Sequence, residues 1–254
     1  MVGVLILLSV LSFWFLSGDF SKTKLEVAKK TTFSEIQIGS TVQNYVEKCI
    51  EKTGEDAIVY IGKQGGYYQL PKLYDPNFRL PYYFYEQENK IISRRELEKQ
   101  LSLYLNDNLY FCLRQFSSFK QQGYQIDQGE IKTKVKVAAR SVLFKVRFPV
   151  YLIKGNLGKE FTLFEAKVPS RMNDIHKTVY LFMQEQEKKN DSICLSCLTK
   201  LAIDSDLRVE ISPDNNTVLF TVIDENVKIK KEDYHYEFLN QYRWGKEVEV
   251  IKAK

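Results

Sequence analysis

A chain of 254 residues with 44% hydrophobic and 27% charged side chains can bury a sizeable core, which excludes a disordered polymer. Its formal net charge of +5 is mild and argues for solubility more than for a polyanionic partner. It contains no G-x-S-x-G, no Walker loop and no dinucleotide fingerprint. Its two histidines, His176 and His235, belong to no metal-ligand spacing, so no catalytic residue, metal or cofactor is expected.

The chain opens on an apolar run, Val2 to Leu16, broken only by two serines. At about 1.5 Å per residue it spans about 22 Å, enough for a short transmembrane anchor. A cleaved signal segment is the competing expectation, but no Lys or Arg precedes the run and Leu16-Ser17-Gly18 is a poor cleavage site. The expected organisation is therefore an anchor at 1–17, a polar spacer at 18–39 and an α+β domain at 40–254, which allows a subdivision near 120. Lys22, Lys24, Lys29 and Lys30 would hold the flank in the cytoplasm, whereas pairable cysteines place the body outside it. The cysteines carry more weight, and two glycosylation sequons, at Asn190 and Asn215, agree with them.

From Val42 the residues Val42, Tyr45, Val46, Cys49 and Ile50 follow the spacing of an amphipathic helix, with Ser40 as N-cap and Gly54 as stop. A second short helix is expected from Glu55 to Lys63, ended by Gly65-Gly66. Next comes a tyrosine-rich stretch punctuated by Pro71, Pro76 and Pro81, which predicts short extended pieces. Its Tyr67, Tyr68, Tyr82, Tyr83 and Tyr85 are candidates for a binding surface or for loop packing. Ser93-Arg94-Arg95-Glu96 then forms a capping box, and Leu97, Leu101, Leu105, Leu109, Cys112 and Phe116 predict a helix over 94–117.

Beyond Tyr124 the period becomes two, and strands are expected around Ile131–Val137, Val142–Val150 and Phe161–Val168, with a turn at Lys154–Lys159. Lys132, Lys134, Lys136, Lys145 and Arg147 should share one face of adjacent strands. That face could bind anionic lipid or glycan, and it lacks the interleaved aromatics of a nucleic-acid platform. Helices are expected at Asn173–Lys189 and Ile193–Ile203, and a hairpin at Leu207–Ile211 and Val218–Ile223. The last element, Tyr234–Trp244, is left untyped. Helices and strands in separate blocks predict an α+β fold, with a helical part packed on an antiparallel sheet.

Four cysteines allow three pairings. Cys49 with Cys112 joins two buried helix faces, and Cys194 with Cys197 is a local C-x-x-C, so that pairing is expected. The C-x-x-C also raises thiol–disulfide oxidoreductase activity as an alternative.

The segments VQNYVEKCIEKTGEDAIVYIGKQGGYYQLP (42–71), LPYYFYEQENKI (80–91), SICLSCLTKLA (192–202) and TVLFTVIDE (217–225) resemble an uncharacterised family of single-pass, membrane-anchored archaeal proteins. The combination of Cys-x4-Gly-Glu-Asp, Gln-Gly-Gly-Tyr and Cys-x-x-Cys carries the resemblance. It implies an anchored, externally facing domain, and it implies no known activity, substrate or catalytic residue. Apart from the resemblance, the partners expected are the membrane, through the N-terminal helix, and an envelope protein or glycan.

Overall fold

The computed structural model describes residues 40–155, 157–189 and 192–243. The expected anchor, the spacer and the sequon residue Asn190 lie outside the described residues. Contacts divide the chain into Met1–Tyr45 and Val46–Lys254. In the first unit the described residues, 40–45, are helical; the second unit holds everything that follows.

Helix α1 covers residues 40–62. It is followed by β1 (Tyr74–Asp75), β2 (Leu80–Tyr85), β3 (Glu88–Asn89), α2 (Arg94–Leu113) and, past a 3-10 turn, α3 (Ser117–Gln121). Strands β4 (Gln125–Gln128), β5 (Lys132–Ala138), β6 (Ser141–Lys154) and β7 (Leu157–Pro169) come next. Helices α4 (Met172–Glu187) and α5 (Leu195–Asp204) precede β8 (Arg208–Asp214), β9 (Thr217–Ile229) and β10 (Glu232–Gln241). The fold is α+β with two sheets. In the first, the order is β1-β2-β10-β9-β8, with β3 also on β2. In the second, β6 is the spine, paired with β7 on one side and with β5 and then β4 on the other.

Two expectations need correction. The first sheet is not purely antiparallel, because β2 pairs parallel to β10. The untyped final segment supplies β10, the partner of both β2 and β9. The second correction concerns Gly54, which does not stop a helix; α1 runs through it to residue 62. A β-carbon on Gly54 would lie 2.7 Å from the Phe144 ring on β6, so glycine serves close packing there. The real stop is Gly65-Gly66, at φ +58° and +81°, where the Gly66 amide donates to the Ile61 carbonyl at 2.8 Å.

Helix α2 forms as its capping box requires, with the Ser93 hydroxyl accepting from the Glu96 amide. Leu97, Leu101, Leu105, Leu109 and Leu113 are fully buried along one side. A second stripe, at the same four-residue spacing, covers the free edge of β5. Arg94 donates to the Val137 carbonyl, Glu98 accepts from the Val137 amide at 3.0 Å, Ser102 donates to the Thr133 carbonyl, and Asn106 accepts from the Thr133 amide at 3.0 Å. Side chains of the helix thus take the place of a neighbouring strand and blunt an edge open to aggregation.

The core of the four-stranded sheet is the inward row Val142, Phe144, Val146, Phe148 and Val150. In the other sheet Tyr83, Phe238, Phe220 and Phe182 form a continuous aromatic run with centroid spacings of 4.8, 5.2 and 5.4 Å. Such pairs contribute about 0.5–1.5 kcal/mol each beyond their buried area. Buried Arg171, just before α4, pairs with Asp224 of β9 at 2.9 Å and donates to the carbonyls of Ser205 and Asp206 at the end of α5. One guanidinium therefore ties α4, α5 and β9 together.

A β-carbon on Gly62 would lie 2.5 Å from the His235 carbonyl oxygen. Gly62→Ala should lower the unfolding free energy by about 1–3 kcal/mol. Gly158→Ala, with open space around the added carbon, should stay within about 0.5 kcal/mol. Urea denaturation of the two variants checks both outcomes.

Candidate functional site

Cys49 and Cys112 form a disulfide with their Cα atoms 5.5 Å apart. Farther along, the rings of Tyr60 on α1 and Tyr104 on α2 meet at 5.5 Å. The two helices therefore lie antiparallel, cross-linked toward one end and in aromatic contact toward the other. Tyr68, just past the glycine stop, folds back onto both rings, 6.0 Å from Tyr60 and 5.1 Å from Tyr104. Gln100 of α2 holds it there, its side-chain oxygen accepting from the amides of Tyr68 and Gln69, each at 2.9 Å. The Gln100 amide nitrogen is in turn satisfied by Glu96 at 2.8 Å.

Beside this triad lies a groove of about 440 Å³, lined by Asp56 and Tyr60 of α1, Lys63 and Gln64 of the turn that follows it, Tyr104 of α2 and Lys230 of the β9–β10 turn. Asp56 and Lys230 form an ion pair across it. That hydrogen bond raises the Lys230 ammonium above its ordinary range. Burial, with Asp56 nearby, also raises the Tyr104 phenol, which keeps its proton and remains a donor at neutral pH. The groove thus combines aromatic surface, amide and ammonium donors, and a carboxylate acceptor. Such a combination has the chemistry to stack on and hydrogen-bond a polar, ring-bearing ligand.

Of the tyrosines expected at a surface, only Tyr68 stands beside this groove, its ring against the Tyr60 and Tyr104 rings that line it. Tyr83 is fully buried, its hydroxyl donating to the Gly65 carbonyl at 2.8 Å and paired with the Tyr236 hydroxyl at 2.6 Å. Tyr82 is 8% exposed and donates to Asp75 at 2.7 Å. Both are core residues, because β2 is an inner strand of its sheet. Tyr85 is half-buried against Tyr82, and Tyr67 is half-buried, its phenol raised by burial and by Glu96. Tyr60 and Tyr104 were missed by sequence reasoning. Their signal is an aromatic residue set off the buried stripe of a helix.

The lysine face forms as expected. Lys132 stands directly opposite Arg147, and Lys134 opposite Lys145. Cys194 and Cys197 are joined, with Cα atoms 5.3 Å apart. Cys194 sits at the N-cap of α5 and is 2% exposed, while Cys197 is half-buried. Gln186 fastens this segment. Its oxygen accepts from the Cys194 amide and the Tyr242 hydroxyl, and its nitrogen donates to the Lys189 and Ser192 carbonyls. All four bonds of a buried amide are thereby satisfied. Asn215 is exposed in the two-residue turn between β8 and β9, at φ +50°. Among the described residues no group of side chains has the arrangement of a metal site.

Comparison with protein families, curated proteins and solved structures finds no match to this chain.

His176 on α4 pairs through Nε2 with the Ile92 carbonyl at 2.8 Å, and burial lowers its pKa. A depressed histidine pKa means that the unfolded chain takes up the proton first. Stability should be fully present above the ordinary value of 6.5 and fall as pH drops from there through the folded-state value. Urea midpoints between neutral and acid pH check this, and His176→Gln should reduce the slope.

Proposed function

We propose that this chain is a membrane-anchored, externally facing binding module of the cell envelope, held by its apolar segment at 2–16. Its tyrosine groove takes a glycan. The observation that carries the glycan assignment is the meeting of Tyr60, Tyr68 and Tyr104 beside Asp56, Lys63 and Gln64. Sugar rings offer apolar C–H faces for stacking and hydroxyls for both donors and acceptors. Ring centroids at 5.1–6.0 Å leave no space for a guest among the three rings, so the ligand lies along their outer faces and in the groove.

The external placement is supported by two disulfides, which persist in oxidising compartments. It agrees with the resemblance to anchored archaeal proteins. Thiol–disulfide exchange is the weaker alternative. A helix N-terminus favours a thiolate, but reactive cysteines are partly exposed and Cys194 is buried beneath the Gln186 hydrogen bonds.

On a glycan array, the full chain in detergent should bind a defined set of saccharides. Tyr60→Ala and Tyr104→Ala should each weaken that binding about tenfold or more, the loss of about 1.4 kcal/mol. Tyr74→Ala, an exposed tyrosine outside the groove, should leave binding unchanged. Binding that survives both groove substitutions, or an array with no hits, would overturn the glycan assignment.

A further inference from the structure

The outer face of the four-stranded sheet is a regular grid across β5, β6 and β7. Its three rows read Lys136, Leu143, Lys167; then Lys134, Lys145, Glu165; then Lys132, Arg147, Leu163. Six cations and one carboxylate thus share a patch about 10 by 14 Å, from the spacings of strands and of alternate residues. Like charges set directly opposite across a ladder oppose strand pairing. Here this happens twice, at Lys132 with Arg147 and at Lys134 with Lys145.

Local carboxylates answer only part of this charge. Glu130 pairs with Lys132 at 2.8 Å, Glu98 with Lys136 at 3.5 Å and Glu165 with Lys145 at 2.9 Å. Among the described residues no ion pair reaches Lys134, Arg147 or Lys167. The basic region ends where the β6–β7 register shifts between Arg147 and Val150. Beyond it the outward row is Asp127, Tyr151 and Glu160, which is acidic.

Within the cationic grid Leu163 is 70% exposed and Leu143 half-buried. We propose that this face docks on an anionic lipid bilayer, with the lysines and Arg147 at the headgroup phosphates and Leu163 at the boundary with the acyl chains. Interfacial surfaces combine these two elements, basic groups for the surface potential and an apolar side chain for insertion. A nucleic-acid platform would place aromatics among the cations, and this grid contains none. A soluble polyanion has no use for the exposed leucine. The face is separate from the tyrosine groove, so the two assignments stand or fall independently.

Lysine acetylation of the full chain, followed residue by residue by mass spectrometry, tests the proposal with or without insertion of the apolar segment. Vesicles of phosphatidylcholine alone are compared with vesicles containing about 30% phosphatidylglycerol. Acetylation of Lys134 and Lys167 should slow about fivefold or more on the anionic vesicles only. Lys188, an exposed lysine on no part of this face, should react equally on both. About 0.5 M salt should restore the rates, since it screens surface charge. Leu163→Asp, at an exposed position, should remove most of the protection without unfolding the sheet, which circular dichroism checks. Equal rates on both vesicles would overturn the proposal. So would full protection in Leu163→Asp, or protection by heparin or an oligonucleotide without protection by anionic vesicles, which would reassign the face to a soluble polyanion.

Discussion

The carbonyl oxygen of His235 lies 2.5 Å from where a β-carbon on residue 62 would stand, and that approach sets the height of α1 over the six-stranded sheet. Eight residues earlier the same helix meets Phe144 of the other sheet through Gly54. One helix therefore touches both sheets at points where it presents no side chain of its own. The Cys49–Cys112 bond then fixes α2 beside it, closing a 63-residue separation. Loop entropy credits such a closure with about 4 kcal/mol, a large share of a domain's usual 5–15 kcal/mol. The tyrosine groove exists only because these two helices are held side by side, and Tyr68 reaches it only because the chain turns sharply at Gly65-Gly66.

The same segment shows how core packing and partly exposed ring surface divide between neighbouring tyrosines. A β-carbon on Gly66 would lie 2.7 Å from the Tyr236 hydroxyl, so glycine leaves room for it, and Tyr83 completes that buried pair. Tyr68 is left with a partly exposed ring, while Tyr82 and Tyr83, one strand later, hold the sheet together. On the four-stranded sheet the division is by face. Inward residues are uniformly apolar along β6, and the outward ones carry unbalanced positive charge that folding alone does not call for. The opposite edge problem, at β5, is solved by α2 with hydrogen bonds; of that strand's outward lysines, Lys132 and Lys136 pair with Glu130 and Glu98, and among the described residues no ion pair reaches Lys134.

Much of this was legible in the chain itself. The capping box and four-residue leucine spacing predicted α2, and alternation predicted β5, β6 and β7 together with their shared lysine face. The disulfide pairing was expected from the placing of Cys49 and Cys112 on two helix faces, and it forms although Cys112 is only half-buried. Gly54 misled because glycine marks both helix ends and close contacts, and only the position of Phe144 distinguishes them. The parallel pairing of β2 with β10 was not legible, since it joins segments about 150 residues apart with no local signal. Tyr60 and Tyr104 escaped for a related reason. Helix periodicity singles out the residues facing the core, and the groove is built from those facing away.

The covalent frame and the proposed external placement rest on the same chemistry, so one measurement addresses both. Protein isolated natively, with alkylating reagent present from the moment of lysis, would be digested without reduction and its cysteine peptides mapped. The account predicts a peptide pair joined through Cys49 and Cys112, and Cys194 and Cys197 unmodified until a reductant is added. Four alkylated thiols would contradict it, removing the bond that holds the groove and the ground for placing this domain outside the cytoplasm.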